Sequence, residues 1–178
     1  LCGTYPELKN KKLVLYAPTF RDNRAKNNDI LSAFNAEKVS CELGDSYALL
    51  IRLHPQIHPQ DRSIRDAVDV TDYDDVRELV LVCDVLITDY SSICMDFALL
   101  SKKCVFFAYD LESYTGDRDF YFDYKAYVPG RVVRTADEIA EAVKEPFEKE
   151  RSESFRSFNF DFTDCGSAER VVKAIMNC

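Results

Sequence analysis

A run of five polar residues, Thr88 to Ser92, has the composition of an anion-binding turn. It follows a short apolar run, Val85–Ile87, which predicts a buried strand, and it precedes Ile93–Leu100, which predicts a helix. A strand, a turn and a helix in this order place a helix N-terminus at the carboxyl edge of a sheet. The free amides there, the helix dipole and two serine hydroxyls favour an anion such as phosphate. The alternative is that Ser91 or Ser92 is only a helix cap.

The two histidines are a second candidate for chemistry. His54 and His58 stand four residues apart, and each precedes a proline. A loop broken by prolines does not hold two imidazoles in the i, i+4 arrangement of a helical metal site, and no third ligand stands at a typical spacing. We therefore predict no metal site. We interpret His54 as a donor to a phosphate oxygen or an acid–base group, and His58 as a solvated loop residue.

Six short apolar runs alternate with helical patterns, which predicts a parallel sheet covered on both faces, a doubly wound α/β domain. The predicted strands are Leu13–Ala17, Tyr47–Leu53, Ala67–Val70, Val85–Ile87, Cys104–Ala108 and Arg131–Val133.

The helical patterns lie between and after these strands. They cover Ile30–Leu43 with a C-cap at Gly44, a segment capped by Asp74 or Asp75, the segment after Ser92, a helix starting at Thr135 or Asp137, and Ser167–Met176 with Val171, Val172 and Ile175 inward.

Polar clusters follow four of the predicted strands. Since right-handed crossovers make parallel strands point one way, all four clusters emerge at the edge where such folds bind ligands. We predict one polar pocket there, with Arg21 and Arg118 supplying charge for a diphosphate or phosphodiester. The clusters are Thr19, Arg21 and Asn23; Arg52, His54 and His58; Asp89, Ser91 and Ser92; and Asp110, Glu112, Arg118 and Asp119.

The segment Tyr109–Pro129 is aromatic and acidic, and connections of this length in a compact domain tend to be functional. The aromatic side chains at 121–124 are candidates for stacking on a nucleotide base, and an aromatic core beneath the loop is an equally good interpretation.

The totals indicate an ordinary globular domain of 178 residues, 47% hydrophobic and 30% charged. A formal net charge of −8 argues against nucleic acid as a partner, because a general binder needs a basic face. Seven cysteines without a CxxC pair, of which Cys83, Cys94 and Cys104 lie in apolar runs, favour a reducing cytoplasm. No apolar run is long enough to span a bilayer. The sequence starts at Leu1 and not at Met, so we expect a fragment without its partner domain.

Several common site motifs are absent from the sequence. It has no GxSxG elbow, no Walker P-loop and no GxGxxG, and with five glycines its sheet edge does not suit a nicotinamide dinucleotide.

Four motifs together resemble the CDP-glycerol glycerophosphotransferase family, the teichoic-acid-type primases and polymerases of bacterial cell surfaces. They are APTFRDN at 17–23, RLHP at 52–55, DVLITDYSSICMDFALLSK at 84–102 and RDFYFDY at 118–124. The resemblance implies a GT-B architecture of two Rossmann-like halves. This chain looks like the C-terminal, donor-binding half, a single domain over 1–178 with a lead-in linker at 1–12 and with the N-terminal half absent.

The resemblance also implies a reaction. An acceptor hydroxyl attacks the β-phosphate of CDP-glycerol, CMP leaves, and glycerol phosphate is added to a lipid-linked or polymer acceptor. CDP-ribitol stays open as the donor, and no cofactor or metal is implied. The expected location is cytoplasmic, with the full-length enzyme peripheral on the inner face of the cell membrane.

Roles carried over from the family fall on the motif residues. Thr19 and Arg21 would line the nucleotide–phosphate site, and Arg52 would also be among the phosphate-binding residues. His54 would assist the departure of CMP. Asp89, Ser91 and Ser92 would bind phosphate and cytidine groups, and Arg118 would neutralise phosphate charge. Asp119 departs from the family, which usually has Gly there, and adds negative charge beside Arg118. The family's histidine base belongs to the N-terminal half, so we expect donor binding without turnover.

Two alternatives share this sequence pattern. One is a GT-B glycosyltransferase domain that uses a nucleotide sugar, and the other is a flavodoxin-like binding module without enzymatic activity.

Overall fold

The computed structural model describes residues 3, 5–21, 24–57, 64–118 and 120–177, with the backbone alone at 24–26, 28 and 117. The strands in this part of the chain are β1 (Lys12–Tyr16), β2 (Tyr47–Ile51), β3 (Val68–Asp69), β4 (Val85–Thr88), β5 (Lys103–Phe107) and β6 (Gly130–Val133). They form a six-stranded sheet in the order β3-β2-β1-β4-β5-β6, and every pairing is parallel. The prediction of a doubly wound, Rossmann-like parallel sheet is confirmed.

Helices connect and flank these strands. They are α1 (Arg24–Phe34), α2 (Ala36–Leu43), α3 (Val76–Val82), α4 (Ile93–Leu99), α5 (Leu111–Asp117), α6 (Tyr124–Tyr127), α7 (Ile139–Lys144), α8 (Lys149–Asn159) and α9 (Ser167–Met176).

Two hydrophobic layers cover the two faces of the sheet. Because side chains alternate along a strand, Leu15 packs into the layer that holds Phe97 of α4, whereas Tyr16 packs into the opposite layer with Phe34 of α1. The rings of Tyr16 and Phe34 stack with their centroids 3.7 Å apart. The central strands are buried on both sides, which explains their continuous apolar sequences.

Several predicted helix ends are confirmed. The Asp75 carboxylate caps α3 by accepting a hydrogen bond from the Arg77 amide at 2.9 Å. Gly44 ends α2 with φ of +79°, a left-handed conformation that glycine adopts without a steric penalty. Thr135 and Glu138 form a capping box at the turn before α7.

Three connections contain more helix than the sequence predicted. The segment Ile30–Leu43, predicted as helical, belongs to two helices, and the first of them begins earlier, at Arg24. The two helices are separate because Asn35 takes a left-handed φ of +50° and caps the second. The long segment after β5 folds into α5 and α6 instead of one open loop. Residues 149–159, for which the sequence predicted no element, form α8, in which Phe155 packs into the core.

The prediction that α9 turns an apolar face inward is wrong. Val171, Val172 and Ile175 are 57%, 59% and 69% exposed in the structure. The helical period correctly placed these side chains on one face, but a period cannot show whether another element covers that face.

Cys83, Cys94 and Cys104 are buried, as predicted. Burial raises the pKa of the Cys83 and Cys94 thiols to about 12 and that of Cys104 well above its ordinary value, so all three are inert apolar side chains. Across the described ranges, each helix is too short or too polar to cross a membrane.

Candidate functional site

The candidate site lies at the carboxyl edge of the sheet, beyond the ends of the paired strands β1 and β4. The chain first moves outward from β1 to β2 and β3, then returns to add β4 on the other side of β1. Loops that leave neighbouring strands in opposite directions open a crevice at such a point, where ligands bind in open α/β sheets. The loops after β1 and β4 border this crevice, and they carry Thr19 and the Ser91–Ser92 segment.

Asp89 joins these two loops. Its side chain is 2% exposed, and its Oδ1 accepts hydrogen bonds from the amides of Thr19 at 2.8 Å and Tyr90 at 2.6 Å. Its Oδ2 accepts from Arg21 Nη2 at 2.9 Å. Burial raises the pKa of Asp89, while the charge of Arg21 acts in the opposite direction. Asp89 therefore organises the crevice from below and does not present its carboxylate to a ligand.

Arg21 lies beneath the loops, although the sequence predicted it at the surface of the pocket. It is 5% exposed, and each of its three guanidinium nitrogens donates to a protein oxygen. Nε and Nη2 donate to the two oxygens of Asp110 at 2.7 and 3.0 Å, which makes a bidentate ion pair. Nη1 donates to the Thr19 carbonyl at 2.6 Å. Burial alone would lower the pKa of Arg21, but the hydrogen bond to Asp110 and the charge of Asp89 raise it, so the guanidinium stays charged.

Aromatic rings enclose this ion cluster, which we define as Arg21, Asp89 and Asp110. The rings of Tyr90, Tyr109 and Tyr114 have centroids 5.1, 5.9 and 5.3 Å from the Arg21 guanidinium carbon. Burial raises the pKa of Tyr90, and the Asp110 carboxylate raises it further. The roles of Asp110 and Tyr90 were missed from the sequence, because the only sequence signal was a polar residue after β5.

The Ser91–Ser92 segment lies directly ahead of α4, where the sequence predicted an anion-binding turn. Ser92 is the N-cap residue of α4, and its hydroxyl makes no capping hydrogen bond. Ser91 Oγ accepts a long hydrogen bond of 3.4 Å from the Ile93 amide. Among the residues that the structure describes, the amides of Ser91 and Ser92 have no hydrogen-bond partner. In the loop after β1, Thr19 Oγ1 is buried, and the Thr19 side chain favours the charged form of Asp89.

His54 lies beside the loop that follows β1. Its ring packs on Phe20 with a centroid distance of 4.6 Å, and its Nδ1 accepts a hydrogen bond from the Gln56 amide at 3.2 Å. Because Nδ1 is occupied by this contact, Nε2 is the ring nitrogen left to meet a ligand. Nε2 has no hydrogen-bond partner among the described residues and is the free donor of this side chain.

Arg52 points towards β3, on the far side of β2 from the crevice. Its Nη1 donates to the carbonyls of Val70 at 3.0 Å and Tyr73 at 2.6 Å. Burial lowers the pKa of Arg52, although Asp72 and Asp75 favour its charged form. The structure therefore places Arg52 as a tie between β2 and the turn after β3 instead of among the residues of the crevice.

Arg118 is exposed at the C-terminal end of α5, where its amide donates to the Tyr114 carbonyl at 2.8 Å. It is not part of the ion cluster. Two other residues that the sequence singled out, His58 and Asp119, lie outside the described residues.

The aromatic segment at 121–124 divides between core and surface. Tyr124 is 8% exposed, and its hydroxyl donates to the Asp89 carbonyl at 2.8 Å, which matches the core interpretation. Tyr121 is 100% exposed and Phe122 is 50% exposed, so these two rings are accessible to a ligand.

A separate cavity of about 580 Å³ lies near β3, and its lining is acidic. Negative charge excludes it as a phosphate site. In the described ranges of the chain, no group of three His, Cys, Asp or Glu side chains could hold a metal ion. The residues that line the cavity are Tyr5, Asp69, Asp72, Tyr73, Asp74, Asp75 and Glu78.

Comparisons with known proteins identify the family of this chain. The family model described as CDP-Glycerol:Poly(glycerophosphate) glycerophosphotransferase matches residues 1–177. A teichoic acid poly(ribitol-phosphate) polymerase of Bacillus spizizenii is 38% identical, over 97% of this chain and 29% of the relative. A teichoic acid poly(glycerol phosphate) polymerase of the same organism is 34% identical, over 94% of this chain and 45% of the relative.

Among solved structures, the chain is similar to a variant of the wall teichoic acid polymerase TagF soaked with CDPG. The TM-score is 0.75 at 32% identity, and the match covers 95% of this chain and 42% of the other. The chain thus spans less than half the length of the relatives it matches. A family model that matches nearly every residue agrees with the four motifs and with their convergence on one edge. This chain belongs to the CDP-glycerol:poly(glycerophosphate) glycerophosphotransferase family.

Proposed function

We propose that this chain is the C-terminal, donor-binding half of a GT-B phosphotransferase that uses CDP-glycerol or CDP-ribitol. In the proposed reaction, a hydroxyl of a lipid-linked or polymer acceptor attacks the β-phosphate. A new P–O bond forms, the bond from that phosphorus to the bridging oxygen breaks, and CMP leaves with the electron pair. The hydroxyl proton passes to a base that the N-terminal half of the protein supplies. The chain itself supplies no metal or cofactor in this proposal.

One observation carries the proposal: free donors of two motif loops, after β2 and β4, lie beside the loop after β1 at one edge of the sheet, in a chain that belongs to this family. His54 Nε2, the Ser91 and Ser92 amides and the Ser92 hydroxyl are uncommitted among the described residues. Amides ahead of a helix favour phosphate, since they meet it with N–H groups and with the positive end of the helix dipole. His54 would donate a hydrogen bond from Nε2 to the CMP phosphate as the bond breaks, which stabilises the negative charge of the leaving group.

The structure changes the roles proposed for the charged residues. Arg21 and Asp89 act by holding the loops, because their polar atoms already bond to protein atoms. Arg118 is the exposed arginine closest in sequence to the accessible aromatic rings of Tyr121 and Phe122, and in the proposal it attracts the donor's phosphates.

Calorimetric titration with CDP-glycerol and CDP-ribitol tests the proposal. We expect binding of at least one of them, weakened about tenfold or more by His54→Ala, because a hydrogen bond to a charged phosphate is lost. Gln56→Ala is the matched control, since it truncates a neighbouring exposed side chain and keeps the amide that orients His54.

Other nucleotides separate the alternatives in the same titration. Tighter binding of a UDP-sugar or a CMP-sugar than of either CDP-polyol would instead support a glycosyltransferase domain. No binding of any nucleotide would support a non-catalytic module and would contradict the proposal.

The proposed location of the full-length enzyme is the cytoplasmic face of the cell membrane. The argument is chemical: the donor is a nucleotide, and a lipid-linked acceptor is confined to a membrane surface. Flotation of the full-length protein with acceptor-containing vesicles tests this, and equal recovery without vesicles would contradict it.

A further inference from the structure

Tyr90 stands between two residues with different tasks, the buried Asp89 and the crevice residue Ser91. Three contacts hold it. Its amide donates to Asp89 Oδ1 at 2.6 Å, its hydroxyl donates to Asp110 Oδ1 at 3.0 Å, and its ring stacks on Tyr114 with a centroid distance of 3.7 Å. The Ser91–Ser92 segment therefore starts from a residue fixed at its backbone, its ring and its hydroxyl.

Asp110 connects the third loop to the other two. Its side chain is 15% exposed, and its two oxygens accept from Arg21 Nε at 2.7 Å and Arg21 Nη2 at 3.0 Å as well as from the Tyr90 hydroxyl. It lies in the loop after β5, while its partners lie in the loops after β1 and β4. Both oxygens are engaged by protein donors, so Asp110 can act on a ligand only through these partners.

The same network also holds Thr19 on two sides. The Thr19 amide donates to Asp89 Oδ1 at 2.8 Å, and the Thr19 carbonyl accepts from Arg21 Nη1 at 2.6 Å. Both borders of the crevice, Thr19 and Ser91–Ser92, are thus attached to one buried set of charges. A buried charge network with satisfied partners is rigid, and a shift of one member moves the others.

We propose that Tyr90 and Asp110 are positioning residues of the donor site, which set the separation between Thr19 and the Ser91–Ser92 segment through Arg21 and Asp89. This inference rests on the proposed function, because it specifies how the same crevice is held open for a nucleotide diphosphate. Tyr90 and Asp110 act without touching the donor.

Tyr90→Phe is the first test, since it removes one hydroxyl and keeps the stacked ring. We expect affinity for the CDP-polyol to fall about five- to tenfold, because the lost hydrogen bond goes to a charged carboxylate that orients Arg21. Tyr127→Phe is the matched control: it removes a tyrosine hydroxyl that donates to Asn159 in α8, outside the crevice. We expect the control to change affinity less than about twofold, as for substitutions away from a site.

A double-mutant cycle with Ser92→Ala separates positioning from a general loss of stability. If Tyr90 acts through the Ser91–Ser92 segment, Ser92→Ala weakens binding less in the Tyr90→Phe background than in the unsubstituted chain. Ser92→Ala and Tyr127→Phe should combine additively. All titrations are made well below the melting temperature of each variant, where a purely structural role leaves affinity unchanged.

The outcomes distinguish this inference from the proposed function. No binding of either CDP-polyol by the unsubstituted chain overturns the proposed function and this inference with it. Normal binding with unchanged affinity in Tyr90→Phe, or additive effects of Tyr90→Phe and Ser92→Ala, overturns only the positioning role.

Discussion

Arg21 is a permanent positive charge in a place that water scarcely reaches. Two carboxylates, a backbone carbonyl and three aromatic rings compensate for its loss of hydration. A buried ion pair of this kind contributes little net stability compared with an apolar replacement of the whole set, but removing one member leaves a charge without its partner. Arg21 therefore holds the loops after β1, β4 and β5 together, and its guanidinium has no free nitrogen for direct contact with a phosphate.

Arg21→Met should lower the free energy of unfolding by about 3–5 kcal/mol at pH 7, because the buried Asp89 and the half-buried Asp110 then lack a cation. Arg21→Lys should cost less, since it keeps the charge and loses only the planar fork. Urea unfolding followed by circular dichroism measures both.

The loss in Arg21→Met should also shrink as the pH falls from 7 towards 5. Burial already raises the pKa of Asp89, and loss of the cation raises it further. A folded-state pKa above the unfolded value means that the folded state binds more protons, so its stability rises as the pH falls through that window. An equal loss at both pH values would show that packing, and not charge, is the cause.

At the scale of elements, β6 joins the sheet through a close approach that only glycine allows. Gly130 pairs with Cys104 of β5, and a Cβ built on Gly130 would lie 2.0 Å from the Cys104 carbonyl oxygen. The Gly130 backbone and the Cys104 carbonyl group both belong to paired strands, so neither can move aside without breaking the pairing of β5 with β6. Gly116 in α5 differs, because a Cβ there would meet nothing within 4 Å.

These two glycines should respond in opposite ways to the same substitution. Gly130→Ala should destabilise the fold by about 2 kcal/mol or more, because it forces the two strands apart. Gly116→Ala should stabilise it by about 0.5–1 kcal/mol, because alanine has the higher helix propensity. Thermal unfolding of both variants checks this, and a stable Gly130→Ala chain would contradict the observed pairing of β5 with β6.

At the scale of the whole molecule, α9 is an amphipathic helix whose apolar face lies at the surface. Its exposed large side chains are Val171, Val172, Ile175 and Met176. In the short helix α7, by contrast, Ile139 is fully buried against the sheet. Isoleucine therefore occurs in an exposed position in α9, at Ile175, and in a buried position in α7, at Ile139.

Ile175→Ala should change the free energy of unfolding of this chain by less than about 0.5 kcal/mol, as exposed substitutions do. Ile139→Ala, the matched control, should cost about 2–5 kcal/mol, because it leaves a cavity in the core. Denaturant unfolding of both variants gives the comparison. A similar loss at the two positions would mean that the α9 face is buried in solution.

The fold class, and the edge of the sheet at which the polar loops emerge, follow from the sequence alone. Alternation of apolar side chains, capping residues such as Asp75 and turn residues such as Gly44 are local signals, and right-handed crossovers then bring the polar loops to one edge. The motif residues His54 and Ser91–Ser92 were found in this way. Each of these residues directly follows a strand, and the order of strand and loop can be recognised from neighbouring residues in the sequence.

Which polar side chains of those loops face the crevice depends on contacts between residues that are distant in sequence. Arg21 pairs with Asp110 across 89 residues of sequence, Arg52 turns towards β3, and no periodicity encodes either choice. The same is true of α9, since its amphipathic pattern is local but whether its apolar face is covered depends on the packing of distant elements. Charge partners and burial are properties of neighbours in space, so the role of Tyr90 and Asp110 emerges only when three loops are seen together.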